Sequence, residues 1–190
     1  LFQLDLIARR SAVMCAGAAK LPGKLFINFN PSSIYDPSYC LKTTASFIKK
    51  LGLTPSDIVF EVTETHRASD VSHLKSILTY YRDAGFEVAL DDIGAGWSGL
   101  TILQLLHPDY IKIDMELIRG IQLDKSKQSI VFHLIQMAKE NDIKVIAEGI
   151  ETPSEATWLQ KGGVDYLQGY LFGKPSPVYS EERQPLPDVI

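Results

Sequence analysis

The sequence predicts an α/β fold of the barrel type, (β/α)8, with six of its strands visible. Three observations carry this. Short apolar runs alternate with helical patterns along the whole chain, and that alternation with short links means parallel strands joined by right-handed crossovers. The strands are nearly all apolar, as expected when both faces of a sheet are covered. Almost every strand ends, at its C-terminal side, in an acid, an amide or a lysine: Asn28 and Asn30, Glu61 and Glu64, Asp91 and Asp92, Lys112 and Asp114, Glu148, Gln168. Six strands also suit an open doubly wound sheet, but that architecture uses one crevice at its switch point. Polar groups on all the strand ends favour the barrel, where that end gathers the catalytic residues.

The elements follow in order. Leu1 to about Lys20 reads as a helix with an apolar set at Leu4, Ile7, Ala8 and Val13 and charges between, stopped by Pro22-Gly23. Leu25 to Asn30 is a short apolar strand closed by Pro31. From Pro37 to Leu51, Leu41, Ala45, Ile48 and Leu51 share a helical face, and Gly52 ends the helix. Ile58 to Glu64 is the second strand. A helix from about Ser69 turns Val71, Leu74, Leu78 and Tyr81 inward and stops at Gly85. The strand beginning at Phe86 then delivers Asp91-Asp92 into a turn containing Gly94, Gly96 and Gly99. A short helix, Leu100 to Leu106, leads to the strand Tyr110–Asp114. A longer helix carries Ile130, Leu134, Met137 and Ala138 ahead of Asn141 and the strand Ile143–Glu148. Thr152-Pro153-Ser154-Glu155 is a capping box with proline at the first helical position. Gly162-Gly163 ends that helix, and Val164 to Gln168 is the last strand. Residues 1–177 are expected to form the domain and 178–190 a loosely ordered tail.

Bulk properties narrow the function. With 190 residues, 45% of them hydrophobic, the chain can bury a core as one domain. A net charge of −4 without a basic stripe argues against long nucleic acid but leaves room for a small anionic ligand reached through metal. Cys15 and Cys40 lack metal spacing and read as reduced thiols. No apolar run approaches the ~20 residues of a membrane span, and no signal peptide is visible. The expected location is cytoplasmic.

The Asp91-Asp92 pair is the chemical centre. Two acids at the mouth of a buried strand are costly unless a cation is paired with them. Glu61, Asp91, Asp92 and Glu148 supply carboxylates and Asn28 an amide oxygen. This hard-oxygen set suits Mg²⁺ or Mn²⁺ better than Zn²⁺, and none of the four histidines ends a strand. A pair of ions bridging a phosphate is the usual apparatus for hydrolysing a phosphodiester. Lys112 would offset phosphate charge or position the water. Any single acid is as readily a helix cap, but five metal-type donors at strand ends are hard to ascribe to accident. Lys112 has an alternative as an ion pair with Asp114, and Gln168 as a partner for backbone. Glu64 faces away from Glu61 and reads as a loop brace. Trp97 and Tyr170 are either base-stacking or packing residues.

The ordered motifs Asn28-Phe29-Asn30, Glu61-Val62-Thr63-Glu64, Asp91 to Ser98, Lys112-Ile113-Asp114, Glu148-Gly149-Ile150-Glu151 and Gln168-Gly169-Tyr170 resemble the EAL-domain family. Its members are bacterial phosphodiesterases that open cyclic di-GMP to the linear dinucleotide pGpG. The resemblance spans about Leu1 to Pro177 and implies a modified TIM barrel with two Mg²⁺ or Mn²⁺ ions, often a homodimer. It assigns Asn28, Glu61, Asp91 and Asp92 to metal binding, and Glu148 to metal binding or to assisting the water. Lys112 and Gln168 fall beside the attacking water, and Glu64 anchors the loop Ile93 to Ser98. Asp114, Trp97 and Tyr170 become candidates for substrate binding. The namesake Glu-Ala-Leu strand is not in this sequence and is expected upstream of Leu1, which makes the barrel N-terminally incomplete here. A sensory or GGDEF-type domain is a further upstream expectation. A catalytically inactive cyclic di-GMP sensor, or a domain acting through protein contacts, is the alternative reading. The loop reads Ile93-Gly94-Ala95-Gly96-Trp97-Ser98 where the family more often has Phe-Gly-Thr-Gly-Tyr-Ser, and Asn30 stands where serine is usual.

Overall fold

The computed structural model describes residues 2–19, 23–29, 37–63, 71–96 and 99–176. Seven helices and six strands lie among them: α1 (Phe2–Ala19), β1 (Leu25–Asn28), α2 (Pro37–Lys50), β2 (Ile58–Thr63), α3 (Val71–Asp83), β3 (Glu87–Ile93), α4 (Gly99–Leu106), β4 (Tyr110–Ile113), α5 (Met115–Ile118), α6 (Lys125–Glu140), β5 (Lys144–Ala147), α7 (Pro153–Gly162) and β6 (Tyr166–Leu167). The strands are hydrogen-bonded in chain order, β1-β2-β3-β4-β5-β6. β1 pairs with β2, β4 with β5 and β5 with β6, all parallel. An order that never reverses has no switch point, so the winding is that of a barrel and not of a doubly wound sheet.

Contacts divide the chain into two compact units, Leu1–Ala89 with Ile102–Pro108, and Leu90–Thr101 with Asp109–Ile190. In the first, Ile58, Phe60 and Val62 alternate on the face of β2 that meets Leu74, Ile77, Leu78 and Tyr81 of α3. Phe29, Phe60, Tyr81 and Phe86 form the aromatic centre, with neighbouring ring centroids 5.0 to 6.3 Å apart. Arg9 is buried against it, its guanidinium 4.9 Å from the Phe29 centroid and ion-paired to Asp5 one turn earlier. This decides the inward face of α1. Leu4 and Ile7 are 66% and 62% exposed, and the inward stripe is Arg9, Val13 and Ala16. A cation stacked on two rings carries its apolar stem inward, which a count of aliphatic residues cannot register.

In the second unit, α6 buries Val131, Ile135 and Ala138. Ile130 is 46% exposed. Adjacent apolar pairs, Ile130-Val131 and Leu134-Ile135, offer two registers a residue apart, and the structure uses the later one. Two short elements escape periodicity altogether: α5 and the 3₁₀ turn Ile121–Leu123. The predicted capping box is present, with the Glu155 N–H donating to Thr152 Oγ1 and Gly163 closing α7 at φ 84°. The Glu155 carboxylate, only 4% exposed, does more than cap. It accepts N–H bonds from Glu151 (3.1 Å), Thr152 (3.0 Å) and Gly120 (2.9 Å). Burial acts to raise its pKa, but these bonds from Gly120, Glu151 and Thr152 outweigh burial and hold the carboxyl below its ordinary 4.5.

Candidate metal centre

The site in the second unit is built by a staircase of strand ends. The Asp114 N–H donates to Ile93 O (3.1 Å), the Glu148 N–H to Ile113 O (3.1 Å) and the Gln168 N–H to Ala147 O (2.8 Å). Each bond links the residue just past a strand to the last residue of the preceding one, or its equivalent, so the side chains at those ends are brought level. Two glycines make room. Gly94 has φ 105° and Gly149 φ 66°, and a Cβ at either would run into Leu117 or Met115. Side-chain-bearing residues are strained in that region and blocked by the neighbour as well.

Asp91 and Asp92 occupy the end of β3, not the turn beyond it. Asp91 is buried and accepts the Asp92 N–H at 3.0 Å, while Asp92 itself sits at φ 59°. Lys112, 5% exposed, projects between strands. Its Nζ lies 3.0 Å from Asp91 Oδ1 and 2.8 Å from Glu148 Oε1. Asp91, Asp92 and Glu148 each offer a carboxylate oxygen within 4.8 Å of the other two. Three carboxylates against one ammonium leave two negative charges in the cluster (−3 and +1). A partly buried group of this sign favours a cation. Oxygen donors at this spacing fit a hard divalent ion such as Mg²⁺ or Mn²⁺.

Beside the cluster lies a cleft of about 500 Å³ lined by Asp92, Asp114, Met115, Arg119, Glu148, Gly149, Glu151, Gln168, Gly169 and Tyr170. That volume is in the range of small-ligand sites. Thus Asp92, Asp114, Glu148, Gln168 and Tyr170, picked from the sequence, share one wall system. Asp114 differs from expectation in detail. β4 stops at Ile113, and Asp114 caps α5, its Oδ1 accepting the Glu116 N–H at 2.8 Å. Lys112 is paired with Asp91 and Glu148, acids other than the Asp114 that the sequence offered as an alternative partner. Two charged cleft residues received no role from the sequence. Arg119 and Glu151 form an ion pair at 2.5 Å on the rim. Glu151 stands three residues after Glu148, a usable signal; Arg119 follows a four-residue helix and gave none.

In the first unit, Asn28 and Glu61 are register partners across β1 and β2, Asn28 exposed and Glu61 buried. Asn30, Glu64 and Trp97 lie outside the described residues, as does the tail from residue 177. Cys15 is a free, exposed thiol, and the Cys40 side chain is outside the description. Among the described residues no helix is long and apolar enough to cross a membrane.

Comparison with known proteins agrees with this arrangement. The EAL domain family model matches residues 3–175. The blue light- and temperature-regulated antirepressor BluF of Escherichia coli K12 is 32% identical over 190 residues, covering 96% of this chain and 47% of that protein. The probable cyclic di-GMP phosphodiesterase PdeG of the same organism is 35% identical, covering 90% of this chain and 34% of that protein. The chain therefore spans less than half the length of these curated relatives. A standalone EAL protein of Vibrio cholerae O395, solved with cyclic di-GMP bound, superposes with a TM-score of 0.87 at 40% identity over 92% of this chain and 73% of that one. Klebsiella pneumoniae BlrP1, in its manganese and cyclic di-GMP complex, gives 0.86 at 36% identity over 92% of this chain and 45% of that one. Sequence motifs, parallel strand order and these matches lead to one conclusion: the chain belongs to the EAL domain family.

Proposed function

We propose that this chain carries the catalytic domain of a metal-dependent phosphodiesterase that opens cyclic di-GMP to linear pGpG. The observation that carries the reading is the cluster of buried Asp91 and Lys112 with half-buried Glu148 and Asp92, opening onto a cleft of small-ligand size. A protein that only bound the nucleotide would have no use for a buried lysine set between carboxylates at the point where water must be activated.

In this reading Asp91, Asp92 and Glu148 hold divalent metal, joined by Asn28 and Glu61 as ligands carried over from the family pattern. Two Mg²⁺ or Mn²⁺ ions, when bound, supply Lewis-acid polarisation of the phosphate and lower the pKa of water. Water oxygen bonds to phosphorus, the bond from phosphorus to the ribose O3′ breaks, and a proton passes to O3′. Lys112 orients the water and offsets charge on the phosphate. Gln168 lines the cleft and takes the place of the family glutamine that stands beside the lysine and the water. Asp114 and Tyr170 line the cleft where ribose and base would lie, with Trp97 a further base contact. Glu64 keeps the loop-anchoring role that the family pattern gives it.

The test uses the full protein that contains this chain. Cyclic di-GMP is incubated with Mn²⁺ or Mg²⁺ and the products are separated by chromatography. The expected product is pGpG with a 5′-phosphate. Tight binding without any product would make the domain a nucleotide receptor and overturn the enzyme reading.

A further inference from the structure

The Lys112 ammonium occupies the ground a metal needs. It stands 3.0 Å from Asp91 Oδ1 and 2.8 Å from Glu148 Oε1, and both residues belong to the group whose carboxylates bring oxygens within 4.8 Å of one another, a spacing that fits a divalent ion. A Mg²⁺ or Mn²⁺ ion takes such oxygens at roughly 2.1 Å. An ion bonded to the Asp91 and Glu148 oxygens would lie within about 4 Å of an ammonium that stayed in place, and the two cations would repel strongly because little water is there to screen them. Lys112 is 5% exposed, so its charge is held inside the protein and not shed into solvent.

Resting on the metal reading above, we infer that Lys112 is a built-in competitor for the metal site: it neutralises Asp91 and Glu148 until a divalent ion displaces its ammonium, and so sets the metal affinity. The sign follows from the charges. With lysine present an incoming ion meets a cluster of −2; with a neutral residue it meets −3. Lysine therefore weakens metal binding and stabilises the protein while metal is absent. A lysine acting solely as a support for the acids would do the reverse, because its loss would scatter the ligands and weaken binding. After displacement the ammonium is released from its two ion pairs, and it becomes available to a phosphate or a water.

Mn²⁺ titration of the chelator-stripped full protein, followed by calorimetry, separates the two. Lys112→Gln should bind Mn²⁺ at least about tenfold more tightly than wild type. It should also melt at a lower temperature in chelator, with a larger rise on adding Mn²⁺. Lys112→Arg, which keeps the charge, should show no such gain in affinity. Equal or weaker Mn²⁺ binding by Lys112→Gln overturns the proposal, as does a failure of both proteins to bind Mn²⁺. Should Lys112→Gln not fold, the nitrogen-15 resonance of the wild-type Lys112 ammonium is the second readout. It should shift and exchange faster with water when Mg²⁺ is added, and an unmoved signal overturns the proposal. None of these readings depends on cyclic di-GMP, so failure of the substrate assignment would show separately, as absent turnover with the affinity order intact.

Discussion

Asp92 is the residue whose backbone and side chain can be tested apart. Its φ of 59° is in the left-handed region, which asparagine adopts nearly as readily as aspartate. Asp92→Asn should therefore melt within a few degrees of wild type, yet bind Mn²⁺ at least about tenfold more weakly through the lost charge. Calorimetry and thermal denaturation on the same preparation check both halves. Gly149 makes the complementary case. Alanine there would meet Met115 at a φ of 66°, so Gly149→Ala should cost on the order of 1–3 kcal/mol in stability, read by denaturant unfolding. At this scale much of the site was legible in the sequence, because a polar residue ending an apolar strand stands out. Arg119 did not stand out. Its place on the rim depends on α5 and on the Gly120 turn, both too short to leave a periodic pattern.

Among the elements, α6 shows where pattern reading reaches its limit. Paired apolar residues permit two faces, and only packing decides between them. Ile135→Ala should cost about 2–5 kcal/mol, whereas Ile130→Ala should change stability by under about 1 kcal/mol. Equal costs would contradict the register described. The start of α7 was legible because its capping box is local chemistry; the bond from Gly120 to Glu155, 35 residues away, was not. That carboxylate has a consequence for pH. Its folded pKa is depressed, so it stabilises the fold fully above the unfolded value near 4.5 and loses that contribution as pH falls through the lower folded value. Thermal denaturation across pH should show Glu155→Gln at its greatest disadvantage at neutral pH, with the gap to wild type narrowing below about pH 4.5. A gap that stays constant across the acid range would contradict this role.

At the scale of the whole chain, the barrel-type winding was legible from where the polar residues fall. It appears in the structure as strands bonded in unbroken chain order. The inward face of α1 was not legible, since burial of Arg9 on Phe29 and Phe60 depends on tertiary contacts with β1 and β2. The chain covers less than half of the curated relatives described above, so activity is a property to be measured on the full protein. The most direct measurement is the rate of cyclic di-GMP hydrolysis by chelator-stripped full protein before and after Mn²⁺ is restored, beside an Asp91→Ala variant. The account predicts no turnover when stripped, pGpG formation on adding Mn²⁺, and a loss of at least about a hundredfold in the variant. Turnover that survives chelation, or an Asp91→Ala rate equal to wild type, would contradict it.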